Sequence, residues 1–179
     1  MRVITGAARG CKLLEPIGMD IRPTSGKLKE TVFNIIQFDI EGRRVLDLFA
    51  GTGQLGIEAL SRGAASAVFV DKSRDAVKLI RENLKRCKMT AEVIEGDSLA
   101  FISRGAKFDL IFLDPPYDTA LLDKALGEII RFDILSDGGI IICETMRDNA
   151  APELPAPYYL GRVYNYGKKK LIVCGKQAK

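Results

Sequence analysis

A chain of 179 residues, 47% hydrophobic and 28% charged, has the size and composition of one globular domain with a core of its own. Its formal net charge is +4, and no apolar run approaches the roughly 18 residues needed to cross a bilayer, which argues against a membrane-spanning protein. It contains no histidine, so the commonest general base and metal ligand is missing, and most hydrolase schemes go with it.

In chain order, Arg2 to Ile4 and Lys12 to Leu14 flank Gly6-Ala7-Ala8-Arg9-Gly10 and predict an N-terminal hairpin with a flexible basic tip. The opening Met1-Arg2-Val3-Ile4-Thr5-Gly6 lacks the long apolar segment of a signal peptide, and a cytoplasmic protein is expected. Thr24 or Ser25 should cap a helix whose apolar face is Leu28, Val32, Ile35 and Ile36. From Arg44 onward strands and helices alternate. The pattern predicts strand 44–49, helix 54–62, strand 66–71, helix 73–88, strand 91–95, helix 98–103, strand 108–113, helix 119–132 and strand 139–144. Segments 158–164 and 170–174, separated by a turn at Tyr166-Gly167, predict a terminal antiparallel hairpin. Such alternation implies an α/β fold with a mostly parallel, doubly wound sheet. No linker divides the chain, so 1–179 is expected to be a single domain. Residues 1–40 would form a basic hairpin and helix, and 41–179 the core. Cys11, Cys87, Cys143 and Cys174 never form a Cys-x-x-Cys spacing, so they predict neither zinc nor a disulfide framework. They read as small core hydrophobes in a reducing cytosol.

The segment Asp114-Pro115-Pro116-Tyr117 carries the chemistry. It follows the apolar run 108–113, at the carboxyl end of a strand, where open α/β sheets bind their ligands. Two prolines remove two N–H donors and fix two φ angles, and the residue before a proline is kept out of the helical region. The result is a stiff elbow with carbonyl acceptors, a carboxylate and an aromatic ring, suited to gripping an exocyclic amino group on a flat heterocycle. A plain turn would account for Pro-Pro alone, but not for its flanking Asp and Tyr at a strand end.

Upstream, a strand ending at Asp47-Leu48-Phe49-Ala50 runs into Gly51-Thr52-Gly53-Gln54-Leu55-Gly56, a G-x-G-x-x-G spacing that opens a helix. Asp71, twenty residues beyond Gly51 at the end of the next strand, is placed to accept from ribose hydroxyls. By itself this fits a nicotinamide dinucleotide as well as another adenosine cofactor. Asp47, close beneath the loop, would repel a pyrophosphate and attract a sulfonium or ammonium. Asp97, after the third strand in Glu95-Gly96-Asp97-Ser98, could accept from an adenine amino group. Any one of Asp47, Asp71, Asp97 and Asp114 could be a helix cap. Four at strand ends better suit S-adenosylmethionine.

These motifs together, in this order, resemble those of S-adenosylmethionine-dependent amino-group methyltransferases. With Ile21-Arg22-Pro23-Thr24-Ser25, Lys29-Glu30-Thr31-Val32-Phe33-Asn34 and Tyr166-Gly167, nearly the whole chain resembles the bacterial 16S ribosomal RNA guanine-N2 methyltransferases. Residues 25–29, Ser-Gly-Lys-Leu-Lys, stand where a more arginine-rich run would match the family. The resemblance implies a Rossmann-like fold and methyl transfer from S-adenosylmethionine to a guanine N2, with S-adenosylhomocysteine as product and no metal. It implies Asp114, Pro115, Pro116 and Tyr117 as catalytic residues. It assigns the cofactor to Asp47, Phe49, Ala50, Gly51, Thr52, Gly53, Asp71, Lys72, Asp97 and Ser98. It also implies ribosomal RNA within a small-subunit assembly intermediate as partner, and a cytoplasmic monomer.

Charge is concentrated at the two ends. Segment 161–179 holds Arg162, Lys168, Lys169, Lys170, Lys176 and Lys179 and no acid. Arg9, Arg22, Lys27 and Lys168 to Lys170 are expected to meet the RNA backbone, while Lys176 and Lys179 read as solubilising. Rival readings are an amino methyltransferase on DNA adenine or cytosine, one acting on a protein glutamine, an NAD-dependent dehydrogenase, and a cofactor-binding module without catalysis. The chain has no room for a large DNA target-recognition domain, and the dehydrogenase leaves Asp47 and the elbow unexplained.

Overall fold

The computed structural model describes residues 1–16, 26–116 and 119–178. After α1 (Gly26–Ile35) the chain forms β1 (Arg44–Leu48), α2 (Gln54–Ser61), β2 (Ser66–Asp71), α3 (Arg74–Arg86), β3 (Glu92–Glu95) and α4 (Ser98–Ile102). It continues through β4 (Phe108–Leu113), α5 (Thr119–Arg131), β5 (Leu135–Met146), β6 (Tyr158–Tyr166) and β7 (Lys169–Lys176). The seven strands form one sheet in the order β3-β2-β1-β4-β5-β7-β6. The first five are parallel, and β7 pairs antiparallel with both β5 and β6. The chain winds from β1 toward β3, then restarts at β4 on β1's other side. That reversal opens a crevice above the carboxyl ends of β1 and β4.

Period-two alternation along the central strands sorts the core into two layers. Val45, Leu110 and Phe112 join one cluster with Ile57 of α2, Ile80 and Leu84 of α3, and Leu28, Val32 and Phe33 of α1. Leu46, Leu48, Ile111 and Leu113 point to the opposite layer, with Phe101 of α4 and Leu122, Leu126 and Ile129 of α5. Phe33 packs on Phe112 with ring centroids 5.8 Å apart.

Three regions differ from expectation. Strand β5 is longer than 139–144 because a bulge absorbs Asp137-Gly138-Gly139: Phe108 pairs with Leu135, and Leu110 already with Ile140. The N-terminal hairpin is confirmed by the Arg2–Lys12 bridge, but its tip is clamped rather than loose. Ile4 and Thr5 donate to the two carboxylate oxygens of Glu58 at 2.8 and 3.0 Å. Ala7 donates to the Ser61 carbonyl at 2.8 Å and Ala8 to the Ser61 hydroxyl at 3.0 Å. A Cβ on Gly6 would lie 1.7 Å from that carbonyl oxygen, so only glycine permits the approach. Lys29, within the basic segment 1–40, is instead buried. Its ammonium donates to the Arg2 carbonyl at 2.6 Å and pairs with Glu58 at 3.2 Å. Burial lowers its pKa, with Glu58 opposing the shift.

The hairpin's second arm is held by Asn83 of α3, which is fully buried. Its Oδ1 accepts from Leu14 at 2.7 Å, and its Nδ2 donates to the carbonyls of Leu14 at 3.3 Å and Thr52 at 3.0 Å. One side chain thus ties the hairpin to the glycine loop. The four cysteines are free thiols; Cys87, Cys143 and Cys174 are buried, and the Sγ atoms of Cys11 and Cys87 lie 2.8 Å apart. No helix among the described residues is long and apolar enough to cross a membrane.

Candidate active site

Asp47 stands at the carboxyl end of the central strand β1, 3% exposed. Its Oδ2 accepts from the Gly56 N–H at 2.9 Å. A Cβ on Gly56 would lie 2.3 Å from Phe69, so the third glycine of the spacing lets α2 settle against the sheet and reach Asp47. Burial pushes the Asp47 carboxyl up to about 7; the Gly56 bond opposes this, and the nearby charges of Asp114 and Asp71 add to it. The chain leaves β1 through Phe49 at φ 70°, a left-handed conformation rarely adopted by a bulky residue. Phe49 and Ala50 then donate to the Val70 carbonyl at 3.1 and 3.0 Å, which holds the glycine turn over the end of β2.

Asp71 ends β2. Its two oxygens accept from Gly51 and Ser73, each at 2.8 Å, so it braces the turn as well as facing the cavity. Asp97 caps α4 by accepting from Ala100 at 2.8 Å. Such bonds do not exhaust these side chains, because each carboxylate oxygen keeps a second lone pair. Asp114 follows β4 and is half-buried, Pro115 is buried and Pro116 exposed. Tyr117 lies outside the described residues.

These elements enclose a cavity of about 450 Å³. Asp47, Phe49, Ala50, Gly51, Thr52, Asp71, Lys72, Asp97, Ser98, Asp114, Pro115 and Pro116 all line it. Gly53 does not; it serves as the N-cap of α2 at φ 74°. Gln54, Leu55, Ser73, Ala76, Leu99, Leu121 and Lys169 line it as well. Leu55 is the one apolar member whose place in the glycine motif could have announced it. A larger hollow of about 700 Å³ lies against the N-terminal hairpin, with Arg2, Arg9, Lys12 and Lys29 in its wall, and Gln54 borders both spaces. The strand-end carboxylates are gathered at the smaller cavity, which is therefore the candidate site. No group of residues able to hold a metal occurs among the described residues.

The expected RNA contacts separate. Arg9, Lys27 and Lys168 are exposed, and Arg22 lies outside the described residues. Lys169 pairs with Glu144 at the cavity's rim, while Lys170 is 6% exposed and donates to the Asn149 carbonyl. Consecutive residues of a strand face opposite sides, so the basic run 168–170 cannot present one surface. Lys176, read as solubilising, is in fact 5% exposed and paired with Asp133 and Asp137, each at 2.8 Å.

The family model described as "Conserved hypothetical protein 95" matches residues 1–175. A Bacillus subtilis protein provisionally described as an rRNA methyltransferase, YlbH, is 40% identical over 99% of this chain and 100% of its own. The Escherichia coli ribosomal RNA small subunit methyltransferase D is 34% identical over 90% of this chain and 83% of its own. Among solved structures, an Escherichia coli protein provisionally described as a methyltransferase, YhhF, superposes with a TM-score of 0.91 at 32% identity. That match covers 100% of this chain and 99% of the other. The chain belongs to the family described as conserved hypothetical protein 95, with relatives named as small-subunit ribosomal RNA methyltransferases along most of its length.

Proposed function

We propose that this protein transfers a methyl group from S-adenosylmethionine to the exocyclic N2 amino group of a guanine in 16S ribosomal RNA. The observation that carries the reading is the cavity shared by Asp47, Asp71, Asp97, Asp114 and the Pro115-Pro116 elbow. Asp47, Asp71 and Asp97 accept from backbone amides, and among the described residues no ion pair joins them to a base. Such a wall suits hydroxyls, amino groups and a cation, and opposes a pyrophosphate. S-adenosylmethionine supplies, when bound, a methyl group already activated by its sulfonium.

Asp71 is assigned the ribose hydroxyls and Asp97 the adenine amino group, with Lys72 and Ser98 beside them. The Gly51-Thr52-Gly53 turn admits the cofactor close to the backbone. The guanine nitrogen is a poor nucleophile because its lone pair is delocalised into the ring. Asp114 and the Pro115 carbonyl accept its two hydrogens and turn the lone pair toward the methyl, so the protein contributes alignment and charge placement. Tyr117 is assigned the stacking face for a base turned out of its RNA. The proton leaves to water after transfer, since carboxylates are weak bases near neutral pH. Arg9, Lys27 and Lys168 are assigned to the phosphate backbone, with Arg22. The substrate is ribosomal RNA within an assembling small subunit, met by a monomer in the cytoplasm.

The test is incubation with tritiated S-adenosylmethionine and 16S rRNA, assembled small subunits or DNA, followed by nucleoside analysis. Label in N2-methylguanosine from RNA is expected. Label in another nucleoside, or in DNA, would overturn the guanine assignment.

A further inference from the structure

We infer that the side-chain carbonyl of Gln54 receives the α-ammonium of the cofactor's amino-acid tail, which makes Gln54 the residue that reads the tail rather than the nucleoside. The inference rests on the S-adenosylmethionine reading. Gln54 is the first residue of α2 and is 6% exposed. Its Oε1 is, among the described residues, the buried side-chain oxygen left without a hydrogen-bond partner. Asp47, Asp71 and Asp97 all have backbone donors, and the Thr52 hydroxyl lies 3.9 Å from the Met1 sulfur. An acceptor buried without a donor forfeits its hydration with no return, so a partner supplied by the ligand accounts for it.

The order of the strands says which part of the ligand that is. Along the edge β3-β2-β1-β4 stand Asp97, Asp71, the glycine turn and Asp114 in turn. A ligand with its adenine at Asp97 and its ribose at Asp71 directs its remaining atoms toward β1, where α2 begins. Those atoms end in a zwitterion. The ammonium has three donors and no acceptor, which an orphan carbonyl oxygen requires; the carboxylate has acceptors only. The carboxylate finds its own partners in the first turn of α2, whose amides have no intrahelical acceptor and carry the positive end of the helix dipole. Of these, the Gly56 amide is already committed to Asp47, and Gln54 and Leu55 border the cavity.

The test compares ligands with and without the tail on the full-length protein by calorimetry. S-adenosylhomocysteine carries the whole tail, its desamino analogue lacks only the ammonium, and 5′-methylthioadenosine lacks the tail. Gln54→Leu should weaken S-adenosylhomocysteine about tenfold, the loss of one charge-assisted bond, and leave the other two within about twofold. Gln54→Ala, measured in parallel, should give the same split if leucine disturbs the packing of α2. Unaltered affinity for all three ligands, or an equal loss for all three, overturns the role of Gln54. An equal loss for S-adenosylhomocysteine and its desamino analogue, with methylthioadenosine spared, would assign Gln54 to the carboxylate and overturn the ammonium. Failure of S-adenosylhomocysteine to bind the unsubstituted protein would instead overturn the cofactor reading.

Discussion

Asp133 and Asp47 stand at opposite edges of one sheet. Asp133, just before β5, accepts from Lys107 at 2.7 Å, from Lys176 at 2.8 Å and from the Tyr158 hydroxyl at 2.8 Å. The Lys107 and Lys176 bonds hold its carboxyl well below the ordinary range, and the same contact raises Lys176. Asp47 meets a backbone amide and burial instead, and is pushed the other way. One edge neutralises its carboxylates with its own ammonium groups and is complete as folded. The other holds Asp47, Asp71 and Asp97 on backbone amides, an arrangement that would favour a cationic, hydroxyl-rich ligand. Carboxylates that look alike in sequence thus differ in what faces them: ammonium groups at Asp133, a backbone amide and burial at Asp47.

The contrast would break most visibly at Asp114. Asp114→Ala should lower single-turnover methyl transfer by about 100-fold or more, as loss of a charge-placing group does. Affinity for S-adenosylhomocysteine should stay within about twofold by calorimetry. Near-normal turnover would move the chemistry away from the elbow. Next, Asp71→Ala should cost roughly 1–3 kcal/mol in cofactor binding, the worth of a lost charge-assisted pair. A variant that binds normally would make Asp71 only the brace of its turn.

Asp47 and Asp133 sharpen the comparison through opposite pH dependence. The folded state of Asp47 holds its proton up to about 7, whereas an unfolded carboxyl releases it near 4. The contribution of Asp47 to stability is therefore full below about 4 and declines as pH rises toward 7. Asp47→Asn keeps an acceptor for Gly56 and cannot ionise. It should stabilise the ligand-free protein more at pH 8 than at pH 5, by on the order of 2 kcal/mol in denaturant titrations. For Asp133 the sign reverses: its contribution is present above about 4 and is lost as pH falls through its depressed folded value. Asp133→Asn should cost about 1 kcal/mol at pH 7, modest because the side chain is 50% exposed, and the difference should fade in acid. Equal effects at both pH values would mean that neither carboxyl is titrating as described.

Much of this arrangement was legible because it is local. Alternating apolar residues announce strands, and their ends announce where Asp47, Asp71, Asp97 and Asp114 stand. The start of β5 at Leu135 lay outside the expected strand 139–144, because Asp-Gly-Gly serves bulges and turns alike and only the pairing of Phe108 with Leu135 places it in the sheet. Lys168 to Lys170 read as a patch because charge was counted without strand alternation. Glu58 gave no signal as an anchor and Asn83 only a faint one, since their partners in the hairpin lie 53 to 69 residues away. A polar residue on the apolar face of α3, three positions after Ile80, was the one available hint for Asn83.

Those separations also order events in time. At roughly 5–20 residues per second, residues 1–16 are made seconds before Glu58, Ser61 and Asn83. The hairpin has nothing to dock on until α2 and then α3 emerge, and its contacts are among those that close the longest loops. A stretch translated ahead of its partners is therefore bound to be assembled late, on a core that must already exist to receive it.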